Sequence, residues 1–157
     1  MRIDPLRGRL GQHRFHPMLV HFPVALYPFS LAMYWLSRHE PSLADAGQYA
    51  HAAAVAVSII AVIYGTIDLL QIDSQEKAWR TGIIHAGLNA CWFLIFSVLL
   101  IFRIKHPQTA SQTGFLLVMA GSTLGVFVSN YFGAELIIRH RIGIANERPP
   151  HHDGPLK

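Results

Sequence analysis

The stretch AAAVAVSIIAVIYGT, Ala52 to Thr66, decides how the chain is read, because it places almost no polar side chain on any face over about four helical turns. A helix on the surface of a soluble bundle keeps a polar face, whereas one that is apolar all round is buried in a core or in lipid. The block around it, Ala50 to Leu70, is close to the roughly 20 residues that carry a helix across hydrocarbon. Three more blocks have the same character: Met18 to Leu36, Ile83 to Phe102 and Phe115 to Ile138. The first is not a clean secretory signal, since it outruns a signal core, contains Pro23 and Pro28 and lacks a small-residue cleavage pattern after Trp35.

Composition agrees. In 157 residues, 52% are apolar and only 14% charged, which departs from the soluble balance. The expected fold is all-α: a four-transmembrane-helix antiparallel bundle whose short connections RHEPSLADAGQ, QIDSQEKAWRT and KHPQTASQTG make sequence neighbours into neighbouring helices. The expected organisation is a basic lead over residues 1–14, a membrane domain over 15–144 and a flexible tail over 145–157.

Basic residues set the expected orientation. Arg2, Arg7, Arg9 and Arg14 precede the first span, Lys77 and Arg80 lie between the second and third, and Arg139, Arg141, Arg148 and Lys157 follow the fourth. Only Arg38, Arg103 and Lys105 occupy the other side, so both termini are expected in the cytoplasm. The net charge of +4 then reflects orientation and anionic headgroups of the lipid bilayer. No basic repeat or nucleic-acid motif is present, and no nucleic-acid partner is expected. The single Cys91 allows no intrachain disulfide and reads as a small core residue.

Polar residues inside the spans carry the functional reading. In the expected topology His16 and His21 open the first span, Asp68 closes the second, His85 and Asn89 lie in the first turns of the third, and Glu135 and His140 end the fourth. All come to similar depth from separate helices, and ionisable groups there are costly unless paired, ligated or wet. His85 and Asn89, four apart, share a helix face that continues to Trp92 and Phe96. Small residues form stripes at Ala54, Ser58, Ala61, Gly65 on the second span and Gly121, Gly125, Ser129, Gly133 on the fourth. Such stripes permit close helix contact or leave room for a flat cofactor, and the former is the commoner use. Pro17 is tolerated in the first helical turn, which leaves His16 free to turn toward the bundle, while Pro28 predicts a kink.

The segments HPMLVHFP, GTIDLL, RTGIIHAGLNA and YFGAELIIRHRIGI, in that order from His16 to Ile144, resemble the four helix patterns of the domain-of-unknown-function 2231 family of bacterial membrane proteins. Ala134 stands where a second glycine is expected before the glutamate, and Ile138 where an aromatic residue is common. The resemblance implies a four-helix membrane domain and carries His16, His21, Asp68, His85, Asn89, Glu135 and His140 as site positions, without an activity.

Histidines from several helices suit haem b, which takes one or two axial nitrogen ligands. His21 and His85 are the first expected pair, with His16 among the cofactor-binding residues and His140 able to replace either ligand or to join Arg80 or Arg139 at a propionate. Phe22, Trp92 and Phe132 would pack the macrocycle. The function expected on this basis is electron transfer with a quinol, cytochrome or oxidase partner in the bacterial inner membrane. The alternative is a non-haem centre of iron, zinc, manganese or copper, held by three of His16, His21, His85 and His140 with Asp68 or Glu135, its histidines oriented by Asn89 and the remaining acid. A structural or assembly subunit without cofactor is the third reading, and a homo-oligomer or larger complex is left open. Transport or proton handling is disfavoured in this reading, because the polar groups cluster at one end, the middle of the bundle and its outer half offer no continuous ionisable route, and four spans without an internal repeat do not suit alternating access. His39, His51 and His106, alone at the opposite end, weigh against a second haem there. No nucleophile elbow, phosphate loop, HExxH or paired CxxC motif points to an enzyme class.

Overall fold

Helices form over the apolar blocks and run past them into the polar connections. A computed structural model describes residues 3–4, 9–10 and 13–142. Most of the basic lead, including Arg2 and Arg7, and the tail read as 145–157 lie outside the described residues. Three two-residue strands, β1 (Ile3–Asp4), β2 (Arg9–Leu10) and β3 (His13–Arg14), pair antiparallel in chain order. The helices are α1 (Phe15–Leu19), α2 (His21–Leu36), α3 (Leu43–Leu69), α4 (Lys77–Lys105) and α5 (Thr113–Ile138), with a 3-10 turn at Pro107–Thr109 before α5.

The first span, Phe15–Leu36, is broken at Val20 into α1 and α2. Pro23 explains the break: lacking an N–H, it cannot bond the carbonyl four residues earlier, and the ladder resumes from Val24 to the Val20 carbonyl at 3.2 Å. Pro28 lies inside α2, which continues through it. Spans α3, α4 and α5 have 27, 29 and 26 residues, each long and apolar enough to cross a membrane. At 1.5 Å per residue they exceed a hydrocarbon core of about 30 Å, so their ends stand in the interfacial layers.

Helix α3 packs between α2 and α4, α5 packs against α4 and α2, and α1 lies on α3, which closes the antiparallel ring. The fold is all-α, with four spans. Its polarity is inverted relative to a soluble bundle. Leu94, Val98, Leu117, Leu124 and Val128 are exposed, while Ser30, Ser58, Ser122, Ser129, His51 and Arg103 are buried. That is the distribution lipid selects, since side-chain polar groups must find partners inside. Cys91, read as a core residue, is instead exposed on α4.

Ring packing forms the centre. Tyr27 from α2 stacks on Phe96 from α4 at 3.7 Å and an interplanar angle of 8°. Tyr34 and Met119 complete the fully buried core beside them. Ser30 donates to the Gly47 carbonyl at 2.8 Å, and a Cβ at Gly47 would meet the Tyr34 ring at 2.8 Å, so α2 and α3 interlock through a missing side chain.

Candidate functional site

Two histidines are seated in the same manner on different helices. His16 on α1 donates from Nδ1 to the Ala61 carbonyl of α3 at 2.8 Å. His85 on α4 donates from Nδ1 to the Ser129 carbonyl of α5 at 2.8 Å. In each case the residue one turn after the carbonyl is glycine, and an added Cβ would stand 2.8 Å from the imidazole Cε1: Gly65 under His16, Gly133 under His85. The carbonyl is the one that also receives the glycine's own helical N–H, and only the absent Cβ lets a ring reach it. The small-residue stripes therefore accommodate the chain's own rings. Gly125 belongs to the same scheme, since the Trp92 indole lies where its Cβ would be.

A backbone carbonyl can only accept, so in both rings Nδ1 carries a proton, and in the neutral tautomer this selects, Nε2 holds the lone pair. This is how metal-ligating histidines are commonly oriented. The two rings lie 6.2 Å apart, centre to centre, with planes at 80°. Imidazoles bonded to one ion at about 2 Å on opposite sides would have centres about 6 Å apart. Asn89, one turn beyond His85, donates to the His85 carbonyl at 2.9 Å, and its amide lies 3.3 Å from Nε2. Ser129 Oγ stands 3.3 Å from the same carbonyl. Beside His16, and not lined by His85, is a cavity of about 50 Å³ whose polar lining comprises His16, Tyr27, Ser58, Asn89, Trp92 and Asn130.

The other site positions from the sequence divide around this pair. His21, first expected as the partner of His85, is exposed, and no hydrogen bond or ring contact among the described residues joins the two. Asp68 accepts from Arg14 at 2.7 Å, with the two side chains only 13% and 15% exposed, so the last residue of the basic lead is tied to the end of α3. Glu135 pairs with Arg139 one turn on at 2.8 Å, and this hydrogen bond raises the pKa of the exposed guanidinium. His140 Nε2 lies 3.4 Å from Thr81 Oγ1, and Arg80 is exposed. Phe22 is exposed and Phe132 packs on Tyr131, so only Trp92 of the three expected packing aromatics lines the cavity. No group of three or more His, Cys, Asp or Glu side chains is poised around one ion among the described residues.

Sequence reading missed a second polar group. His51, placed with the loop residues of the opposite end, is fully buried on α3, because that helix begins at Leu43 and puts His51 more than two turns inside. Tyr27, Tyr34 and Phe96 surround it edge-to-face at 6.0, 6.1 and 5.8 Å. Neither ring nitrogen has a partner of ordinary hydrogen-bond geometry, although the Phe96 carbonyl is near enough to act on the ring electrostatically. The Arg103 guanidinium lies 5.9 Å from the centre of the Tyr34 ring and 3.8 Å from the exposed Asp45. The signal available in the sequence was the face of α4, where Asn89, Trp92, Phe96 and Arg103 follow His85 at spacings of four, three, four and seven to one side of the helix.

No curated protein and no solved structure matches the chain. The family described as "Predicted membrane protein (DUF2231)" matches residues 12–146, a range that contains every span and both seated histidines. The chain is a four-span membrane protein of the DUF2231 family.

Proposed function

We propose that this protein is an electron-transfer protein of the bacterial inner membrane that binds haem b through His16 and His85 and exchanges electrons with a quinol, cytochrome or oxidase. The observation that supports the reading is the twin seating of the two imidazoles, each with Nδ1 fixed on a carbonyl and Nε2 left as the ligating nitrogen, 6.2 Å apart. Haem takes one or two axial ligands from the protein and no more. A bare ion wants three or four, and the described residues offer no third histidine, cysteine or carboxylate at this place. Bound haem would supply one-electron chemistry. The chain's own contribution is to orient the imidazoles, to hold the proton on each Nδ1 and to keep bulk water out. With the basic residues read as cytoplasmic, the pair lies toward that side.

One observation favours the non-haem alternative. The cavity of about 50 Å³ suits an ion with a water, whereas pockets for ligands of cofactor size run from about 300 Å³ upward. Haem would have to part α1 from α4, and the break at Val20 gives α1 a joint about which to move. Ligand number is fixed by the side chains while helix spacing can change, so we give the ligand count the greater weight.

Protein expressed with a haem supply and purified in mild detergent tests this. A Soret band with reduced α and β bands supports haem b, iron, zinc, manganese or copper without porphyrin supports the bare ion, and neither defeats both readings.

A further inference from the structure

At the end of the bundle opposite the histidine pair, the seam between α2 and α5 is open. A groove of about 430 Å³ lies there, walled by Leu31, Ala32 and Trp35 of α2 and by Leu116, Leu117 and Ala120 of α5. Its volume falls within the range of about 300–1,000 Å³ in which ligand pockets lie. Pro28 marks the deep end, and Arg38 with Thr113 marks the rim. From Pro28 to Arg38 the chain rises about 15 Å, half of a hydrocarbon core of about 30 Å. The groove therefore runs from the membrane interface to the middle of the bilayer, the reach of one lipid tail in one leaflet.

The walls are apolar and the rim is cationic. Arg38 Nε donates to the Ser111 carbonyl at 3.0 Å, and Nη2 donates to the Thr113 hydroxyl at 2.7 Å. Both acceptors are neutral, so they aim the guanidinium without cancelling its charge, and among the described residues no carboxylate pairs with it. Glu40, two positions on, accepts instead from Ser42 at 2.7 Å. A guanidinium carries five N–H donors in a planar fork, which leaves donors for an incoming group, and phosphate is the anion that such a fork grips in bidentate fashion. Trp35 is exposed beside the rim, where indoles favour the headgroup layer. Hydrocarbon walls under an uncancelled cation suit a tail joined to a negative head. A zwitterionic head would bring its own ammonium up to the guanidinium, whereas a net-negative one meets it with charge of opposite sign.

We propose that this groove binds one anionic glycerophospholipid, with an acyl chain laid between α2 and α5 and the phosphate on Arg38. The lipid stands in the leaflet opposite that of His16 and His85, and it ties the first span to the last where the protein itself leaves their seam open. The small side chains of Ala32 and Ala120 face each other across the chain's path and leave it room. The proposal rests on no cofactor and holds whether or not the histidine pair is loaded.

The test is native mass spectrometry of the full-length protein, delipidated in mild detergent and mixed with equal amounts of dioleoyl phosphatidylglycerol and dioleoyl phosphatidylethanolamine, which share their tails and differ in head charge. Wild-type protein is expected to retain one phosphatidylglycerol in preference to phosphatidylethanolamine. Arg38→Gln should lower that retention roughly tenfold, the scale of a hydrogen bond to a charged group, and should erase the preference. Lys105→Gln, which removes another exposed cation at the same end, should change neither. Ala32→Phe, at an exposed position in the groove wall, should lower retention of both lipids, and it decides the matter if Arg38→Gln fails to elute as a folded species. Equal retention of the two lipids by wild-type protein overturns the proposal, as does wild-type retention in folded Arg38→Gln or Ala32→Phe protein. A loss in Lys105→Gln as large as that in Arg38→Gln also overturns it, since diffuse surface charge would then account for the binding. Absorption spectra of the same samples keep the two readings apart, because Arg38→Gln should leave any Soret band unchanged.

Discussion

A methyl group at Gly65 would stand 2.8 Å from the Cε1 of His16, and the imidazole sits on the Ala61 carbonyl only because that methyl is missing. Gly65→Ala should push the ring off its acceptor and cost about 1–2 kcal/mol, the value of one buried hydrogen bond with its desolvated carbonyl. Gly133→Ala should do the same to His85. Gly121 has nothing within 4 Å of an added Cβ, so Gly121→Ala should be neutral or stabilising by up to about 1 kcal/mol. Thermal unfolding in detergent ranks the three; equal losses would show that the glycines serve helix contact in general.

Cofactor content separates the histidines. His16→Ala and His85→Ala should each abolish or shift the absorption spectrum of purified protein, while His21→Ala, at an exposed position, should retain it. His140→Ala should also retain it, because that ring is held at Thr81. Loss of the spectrum in His21→Ala, with His16→Ala intact, would restore His21 as the partner of His85.

The Arg14–Asp68 pair should behave as a buried one. Both side chains are mostly covered, so removing either charge strands the other, and Arg14→Gln should destabilise by about 3 kcal/mol. The double variant Arg14→Gln with Asp68→Asn should recover part of that loss. An additive double variant, measured by the same unfolding assay, would show that the two charges do not interact.

Orientation is open to labelling. In a Cys91→Ala background, single cysteines at the exposed positions Glu40 and Gln112 should react with a membrane-impermeant maleimide added to intact cells. A cysteine at Ser74 should not. The opposite pattern would turn the bundle over without moving any side chain relative to another.

Depth was legible in the sequence and azimuth was not. Counting residues along each apolar block brought His16, His85 and Asn89 to one level, and they do meet. The same count put Glu135 and His21 at that level, yet Glu135 bonds along its own helix and His21 is exposed, because rotation about a helix axis depends on packing that no single block records. His51 was misplaced for a different reason. Polar RHEPSLADAGQ reads as a loop, but α3 starts inside it at Leu43, which moves the ring from the rim to the core. Arg14 was read only as an orienting charge, and its contact with Asp68 spans 54 positions, beyond the reach of local pattern.

The seating of the histidine pair also sets an order of manufacture. His16 belongs to the segment synthesised first, its acceptor Ala61 comes with α3, His85 follows on α4, and the carbonyl that anchors His85 arrives only with α5. A ribosome that has released three spans has therefore made both imidazoles and fixed only one. Any metal or haem captured earlier would meet a half-built centre, so loading belongs to the finished chain, after the last helix has entered the bilayer and closed the ring.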